Sequence, residues 1–445
     1  MERHLFTKQL KFNQLLILLT IAILYSCNKS TDTNYNRSTY FRVYQDVKLY
    51  QSPIVKNDYY DVQRIVQDNA GNNYTIYWDT LKTPGIGYST GILKTDPAGN
   101  IIWRKTHPYN PNINSNRWDD FICDGQNLFF LATAPFSNLD GFQLLKLDTA
   151  GNLGKINFLE NLAVPLNTIW YMNNITLTNG NIITTGVTRN NATFVHKPFI
   201  SLFSKNGDVI WQNFNIPADT SAINSRTYND AFIEGITEAE DGSYYCASNG
   251  DCVDITGTWD TTKLWFYHFD KGGKLLSARP KIVGWRKNTL YDLTPYFYSF
   301  VEIYSIADNK FMIVNQKVYN TNLNPGTFAS LDIWKVDSIG NVLDSIEVKS
   351  DYSLLLGKTI KRSNGDILIS GVTSKVITSP LESILIEVSP NLSTKIKRIS
   401  STTQSIAIKG ICETKDGYIL GSGIIQSFGK DNNNLFIIKT DMNEQ

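Results

Sequence analysis

Histidine and cysteine are both scarce in this chain, with four and five in 445 residues. No Cys-x-x-Cys occurs, and His107, His196 and His268 stand in unrelated settings, so the usual zinc frameworks have no ligands here. Neither sign of charge is in excess. Lys+Arg is 42 against Asp+Glu 41, and no basic stripe runs along the chain, which argues against a nucleic-acid partner. The run Asp431-Asn-Asn-Asn434 lacks the glycine and terminal glutamate of an EF-hand loop and reads as plain loop. No amphipathic helical period stands out after the first 26 residues. No catalytic motif and no cofactor fingerprint is present. What is abundant is aromatic side chain, 12%, against only 19% charge, which fits a β-rich globular protein and not a disordered one.

A pair of tight turns recurs seven times. The first turn of each unit centres on Gly71, Gly125, Gly180, Gly242, Asn309, Gly365 and Gly417, at intervals of 52 to 67 residues. The second runs from Asp96 to Gly99, Asp148 to Gly151, Ser204 to Gly207, Asp270 to Gly273, Asp337 to Gly340 and Ser389 to Leu392, with Asp441 beginning the last. Alternating segments such as Phe142-Gln-Leu-Leu-Lys-Leu-Asp148 lie between them, so each unit predicts four strands, A to D. Repeats of this kind imply a closed array, an all-β propeller of seven four-stranded blades, with six or eight as alternatives because blades five and six depart from the pattern. The final unit ends after its strand C. An unassigned alternating segment, Tyr40 to Tyr50, precedes the first A strand and is expected to supply the missing strand D and close the ring.

The best units, Lys94-Thr-Asp-Pro-Ala-Gly-Asn-Ile-Ile-Trp103 and Phe203-Ser-Lys-Asn-Gly-Asp-Val-Ile-Trp211, resemble the Lys-x-Asp-x-x-Gly-Asn-x-x-Trp repeats of bacterial, especially Bacteroidetes-like, propeller lipoproteins. The resemblance covers nearly everything after residue 38. It implies the fold and no activity, because propellers host binding modules, hydrolases, lyases and scaffolds. Trp103, Trp211, Trp265 and Trp334 read as blade packing.

Arg3, Lys8 and Lys11 precede an apolar run, Leu15 to Leu24, of ten residues, short of the roughly 20 a bilayer span needs. The following Leu24-Tyr25-Ser26-Cys27 resembles the lipobox of bacterial lipoproteins, which implies a lipid on Cys27. The expected organisation is therefore a signal peptide (1–26), an anchor and tether (27–38) and a propeller (39–445), monomeric and held at the cell envelope, most simply the outer membrane. In that oxidising setting Cys246 and Cys252 could clip one hairpin, whereas Cys123 and Cys412 fall in distant units and read as buried thiols.

Both tight turns of every unit fall on one face, leaving the long connections to the other, where binding usually resides. Trp78, Trp118, Trp170, Tyr171, Tyr228, Trp259 and Trp285 stand at or beside those connections and suit a glycan or an envelope protein. The expected function is a non-enzymatic interaction module on that face. The alternative is a carbohydrate hydrolase or lyase there, with Asp119, Asp120 and Asp230 as candidate acids. Arg279 to Lys287, four cations around Trp285, reads as loop charge or an anion contact.

Overall fold

The computed structural model describes residues 47–49, 60–80, 88–107, 118–136, 139–152, 157–159, 167–190, 196–216, 228–253, 259–285, 296–319, 328–348, 353–374, 380–399, 404–427 and 433–442. The expected signal peptide, Cys27, the expected tether and most of the long connections lie outside these residues.

Among the described residues twenty-eight strands form seven antiparallel four-stranded sheets. A short first strand, β1 (Val47–Leu49), precedes blade 1, which is β2 (Tyr60–Gln67), β3 (Asn73–Thr80), β4 (Tyr88–Thr95) and β5 (Ile101–His107). Blade 2 is β6 (Trp118–Cys123), β7 (Asn127–Phe136), β8 (Leu139–Asp148) and β9 (Asn157–Leu159). Blade 3 is β10 (Asn167–Thr178), β11 (Asn181–Asn190), β12 (His196–Phe203) and β13 (Val209–Asn213). Blade 4 is β14 (Tyr228–Glu238), β15 (Tyr244–Val253), β16 (Trp259–Phe269) and β17 (Leu275–Trp285). Blade 5 is β18 (Tyr296–Ile306), β19 (Lys310–Tyr319), β20 (Phe328–Val336) and β21 (Val342–Val348). Blade 6 is β22 (Ser353–Lys361), β23 (Ile367–Ser374), β24 (Glu382–Val388) and β25 (Thr394–Ile399). Blade 7 is β26 (Gln404–Glu413), β27 (Ile419–Ser427) and β28 (Asn433–Thr440), completed by β1.

The seven first strands touch in succession, and β2 meets β26, so the ring of innermost strands is closed. Closure also operates within blade 7, where Val47, Lys48 and Leu49 pair antiparallel with Ile438, Ile437 and Phe436. The N-terminal segment thus supplies the outer strand that the seventh unit lacks, as the phase of the repeat requires.

The core lies between blades. Val66, Tyr74, Ile76 and Ile92 of blade 1 pack on Phe121, Phe130 and Leu145 of blade 2, with the Phe121 and Phe130 rings stacked at 5.4 Å. Similar clusters join blade 3 to blade 4 and blade 5 to blade 6. Alternation along each strand sends side chains to both sheet faces, and each face is covered by a neighbouring sheet.

The turn motif has a local cause and a distant one. In blade 1 the Asp96 carboxylate accepts the Asn100 backbone N–H at 2.7 Å and its Nδ2 at 2.8 Å, while Gly99 takes φ 81°. The same lock joins Asp148 to Asn152, Asp337 to Asn341 and, at a first turn, Asp68 to Asn72. Blade 6 keeps the turn without glycine: Leu392 holds φ 64° and is buried against the core between blades 5 and 6, which offsets its strain.

The distant cause is attachment to the next blade. Trp103 Nε1 donates to the Thr149 carbonyl at 3.3 Å, joined there by Lys94 Nζ at 2.8 Å. Trp211 Nε1 donates to the Lys271 carbonyl at 3.1 Å, and Lys335 Nζ to the Pro390 carbonyl at 3.1 Å. In each case the acceptor is the second residue of the neighbour's second turn. The lysine and tryptophan of the repeat are therefore staples between blades, and Trp265 is buried in the blade 3–blade 4 core. Trp211→Phe is expected to cost about 1 kcal/mol through the lost N–H, and Trp211→Ala roughly 3 kcal/mol, read by urea unfolding.

Two expectations are corrected. Cys246 and Cys252 both lie on β15, six residues apart, a separation of about 20 Å at ~3.3 Å per residue, far beyond disulfide reach. Cys246 is a free, fully buried thiol. Second, Arg279 to Trp285 belongs to β17 and is not loop. It is an outer strand, and an edge position tolerates Pro280 and the cations that make the segment look like a connection. Cys123 and Cys412 are free, with thiol pKa values pushed up by burial to about 11 and about 12.

Candidate functional site

Every innermost strand breaks register with its neighbour. The shifts fall between Val62 and Arg64 in β2, Trp118 and Asp120 in β6, Ile169 and Tyr171 and again Met172 and Asn174 in β10, and Ile233 and Gly235 in β14. They recur between Tyr298 and Phe300 in β18, Leu356 and Thr359 in β22, and Ile408 and Gly410 in β26. A bulge leaves one residue unpaired, sharpens the twist and re-aims side chains.

Charged residues of both signs stand at these shifts, Arg64, Asp119, Asp120, Glu234, Lys358 and Lys409, with Glu302 two residues beyond the β18 shift. Arg64, Glu234, Glu302, Lys358 and Lys409 are half-buried, and each is engaged by a partner. Glu234 accepts the Val301 N–H of the next blade at 2.7 Å. Glycines at these bulges allow the blades to close up. A Cβ on Gly235 would lie 2.6 Å from the Ile303 nitrogen, and one on Gly410 would lie 2.8 Å from Arg64 Cα. Ser370 Oγ accepts the Lys358 N–H at 2.9 Å and donates to the Lys358 carbonyl at 3.1 Å, which satisfies the bulged backbone of β22.

Each candidate acid lies on an innermost strand. Asp119 is the unpaired residue of the β6 bulge, Asp120 pairs with Leu131, and Asp230 of β14 faces Asp251 across the ladder. Strand β10 stands between β6 and β14 in the ring. Their side chains lie outside the described set, as do those of Trp78, Trp118, Trp170, Tyr171, Tyr228, Trp259 and Trp285.

The backbone nevertheless places these aromatics. Trp118 and Tyr228 are the first residues of inner strands, Trp259 begins β16, Trp285 ends β17, and Trp78 is near the end of β3. All five are at strand ends remote from the tight turns. Blade 4 is the richest, since Tyr228, Val253 and Trp259 form one cross-strand row and Trp285 pairs with Thr261. Trp170 and Tyr171 are placed differently from expectation. They lie inside β10 at its first bulge, because that strand runs twelve residues and begins before them. The bulges themselves were missed; their only sequence signal is the polar-glycine pair ahead of an isoleucine, Glu234-Gly235 and Lys409-Gly410.

Among the described residues no cluster of three or more His, Cys, Asp or Glu could hold a metal, and no helix is long and apolar enough to cross a membrane.

No protein-family model matches the chain, and no curated protein matches it in sequence. Solved structures that resemble it include the α-L-arabinanase of Penicillium chrysogenum complexed with arabinobiose, 12% identical over 89% of this chain and 98% of that one, at a TM-score of 0.43. Another is the β-propeller domain of the trilobed protease of Pyrococcus furiosus, 9% identical over 88% and 97%, at 0.47. A third is Drosophila Plexin A in complex with Semaphorin 1b, 9% identical over 89% and 88%, at 0.40. Likenesses this remote carry no argument about activity. The chain is a seven-bladed β-propeller on the strength of its own seven sheets and their closure.

Proposed function

We propose that this protein is a monomeric propeller, held at the cell envelope by a lipid on Cys27, that binds an envelope protein or a glycan through the face carrying its long connections. The observation that supports this reading is the contrast between the two ends of the blades. At one end the turns are locked by Asp–Asn pairs and stapled across blades. At the other, aromatic residues terminate strands of blades 1, 2 and 4 beside connections such as 108–117 and 286–295. A rigid scaffold with adaptable loops and aromatic anchors is a common recognition design.

The test is thermal unfolding of the purified full-length protein against polysaccharides and oligosaccharides. A ligand at 100 times its Kd adds about 2.7 kcal/mol, a resolvable shift. The glycan reading expects a shift with one sugar class, lost in Trp118→Ala or Trp285→Ala. The protein reading expects no sugar shift and one specific crosslinked partner in intact envelopes. The absence of both a shift and a crosslink sinks the proposal. For the anchor, Cys27→Ser is expected to move the protein from the detergent phase to the aqueous phase.

The enzymatic alternative draws on one observation, that Asp119 is the unpaired residue of an inner-strand bulge, a place where active-site side chains are often re-aimed. Turnover of a sugar that binds, abolished in Asp119→Asn or Asp120→Asn with binding retained, would select it.

A further inference from the structure

Strand β1 fixes where the chain enters the ring. It stands in blade 7 where the other blades have their fourth strand, antiparallel to β28, with Val47 opposite Ile438 and Leu49 opposite Phe436. Strand β28 runs toward Asp441, the counterpart of the aspartates that open the second turns, so Val47 is at the tight-turn end of the blade and Leu49 lies further from it. The chain before Val47 therefore joins the ring from the tight-turn face. Residues 28–46 separate it from Cys27, and these nineteen residues reach no more than about 65 Å even fully extended.

The same end carries exposed aliphatic side chains. Ile101 and Ile102 open β5, Val209 and Ile210 open β13, and Leu276 and Leu343 are second in β17 and β21, all six between 48% and 52% exposed. Blade 6 adds Ile396. Exposure on these outer strands falls away from the turns, since β21 ends in buried Val348 and β25 in buried Ile399. Edge strands are usually protected by charge or proline, and threonine would serve strand propensity while exposing less hydrocarbon. Here the outer edge carries instead an interrupted aliphatic collar over blades 1, 3, 4, 5 and 6.

The charge beside the collar does not suit an anionic surface. Aspartates outnumber lysines in the second turns, and those of blades 1, 2 and 5 keep their carboxylates in hydrogen bonds to their own turns. The lysines there, Lys205, Lys271 and Lys274, come from blades 3 and 4 alone. Attraction to anionic lipid needs a basic cluster, which these turns lack.

We infer that the tight-turn face is the membrane side of the ring, with its aliphatic collar resting on a zwitterionic headgroup layer and the long-connection face turned away from the bilayer. The inference rests on the lipid anchor at Cys27 proposed above. Aliphatic groups of this kind bind a bilayer weakly on their own, because each buries little apolar area. Anchoring makes the second contact intramolecular, so a contact too weak to recruit a free protein suffices to orient a tethered one. In this orientation the aromatic strand ends stay open to a partner beyond the membrane.

The test uses the full-length lipidated protein on vesicles of phosphatidylcholine and phosphatidylethanolamine that contain headgroup spin-labelled lipid. A fluorophore is placed by Ile102→Cys, Ile210→Cys or Leu343→Cys, or by Gln404→Cys at the opposite end of blade 7, with the parent protein as the labelling background. Quenching at the three collar positions is expected to exceed that at 404 by about threefold or more, since only the collar lies at headgroup depth. Equal quenching, or more at 404, overturns the inference. Combining Ile102→Glu, Ile210→Glu and Leu343→Glu should abolish quenching of a Leu276→Cys label while the protein stays on the vesicles, and retained quenching would show that the collar makes no contact. Adding phosphatidylglycerol should not raise the quenching; a rise would assign the contact to charge and overturn the zwitterionic surface. Collar labels already shielded from iodide before vesicles are added would assign the collar to a second copy of the chain and also overturn it. Protein that does not remain with the vesicles refutes the anchor, and this inference with it, whereas anchored protein quenched at 404 refutes the orientation alone.

Discussion

Deletion of residues 39–52 is expected to leave no soluble folded protein. The described part of that segment, β1, is only three residues long, yet it is the outer strand of blade 7 and the start of the chain that continues into blade 1. Without it β28 becomes an exposed edge, with Phe436, Ile437 and Ile438 all buried in the intact ring. An apolar edge strand of that kind is a template for aggregation. The covalent link across the last junction disappears as well. A deletion variant that is soluble and unfolds at the parent temperature would refute the closure. A positive test uses the register: Lys48 faces Ile437, and directly opposed residues stand about 4.5 to 5.5 Å apart, within disulfide range. Lys48→Cys with Ile437→Cys should therefore form a disulfide on oxidation, detected by a mobility shift, whereas Lys48→Cys with Gln426→Cys should not.

Arg362→Ala is expected to cost about 3 to 5 kcal/mol, the second large effect. Arg362 opens the first turn of blade 6 and braces it against blade 7. Its Nε donates to Glu413 at 2.9 Å, its Nη2 to the Gly417 carbonyl at 2.7 Å, and its Nη1 to Glu387. Glu413 also accepts the Ser363 N–H at 2.6 Å. Glu387 is buried and the other two are half-buried, with 12% of Arg362, 4% of Glu387 and 14% of Glu413 exposed. Removing the guanidinium leaves Glu413 without its cation and Glu387 with only the exposed Lys395 at 3.7 Å, which is why the loss exceeds that of a surface pair. Arg362→Lys should restore little, because one ammonium cannot span three acceptors in the geometry of the planar fork. Combining Arg362→Met with Glu387→Leu and Glu413→Leu should recover most of the stability in urea unfolding. If Arg362→Ala alone shifts the midpoint no more than a surface substitution does, the brace carries no weight.

Most of the fold was legible because its causes are local. An Asp that locks an Asn four residues later, with glycine at positive φ, is written within one turn; four turns carry that lock, and the seven recurring pairs of tight turns set the number of blades. Asn309 shows how local the rule is: with φ 50° it fills the role glycine has in the other first turns, as its side chain allows. Position within a sheet was less legible. Arg279 to Trp285 looked like a connection because Pro280 and the cations violate the rules for central strands, and only the ladder shows it to be an edge. The cysteine spacing misled for the same reason, since six residues can be a hairpin or a single strand, and β15 is the latter. The candidate site was legible only as strand ends rich in aromatics. What those side chains form depends on connections whose local sequence imposes no repeating geometry.

By itself the sequence determined the four-strand unit, its sevenfold repetition and the need for an N-terminal strand to close the ring, because each follows from hydrogen bonds made within a few residues and from the phase of the repeat. Tertiary structure alone decided how the blades meet. The inner-strand bulges that bring Gly410 against Arg64, the ion brace of Arg362 and the reach of Trp211 to the Lys271 carbonyl all join residues from different blades. Contacts between residues so far apart in the chain depend on the packing of whole sheets, and no local rule encodes them.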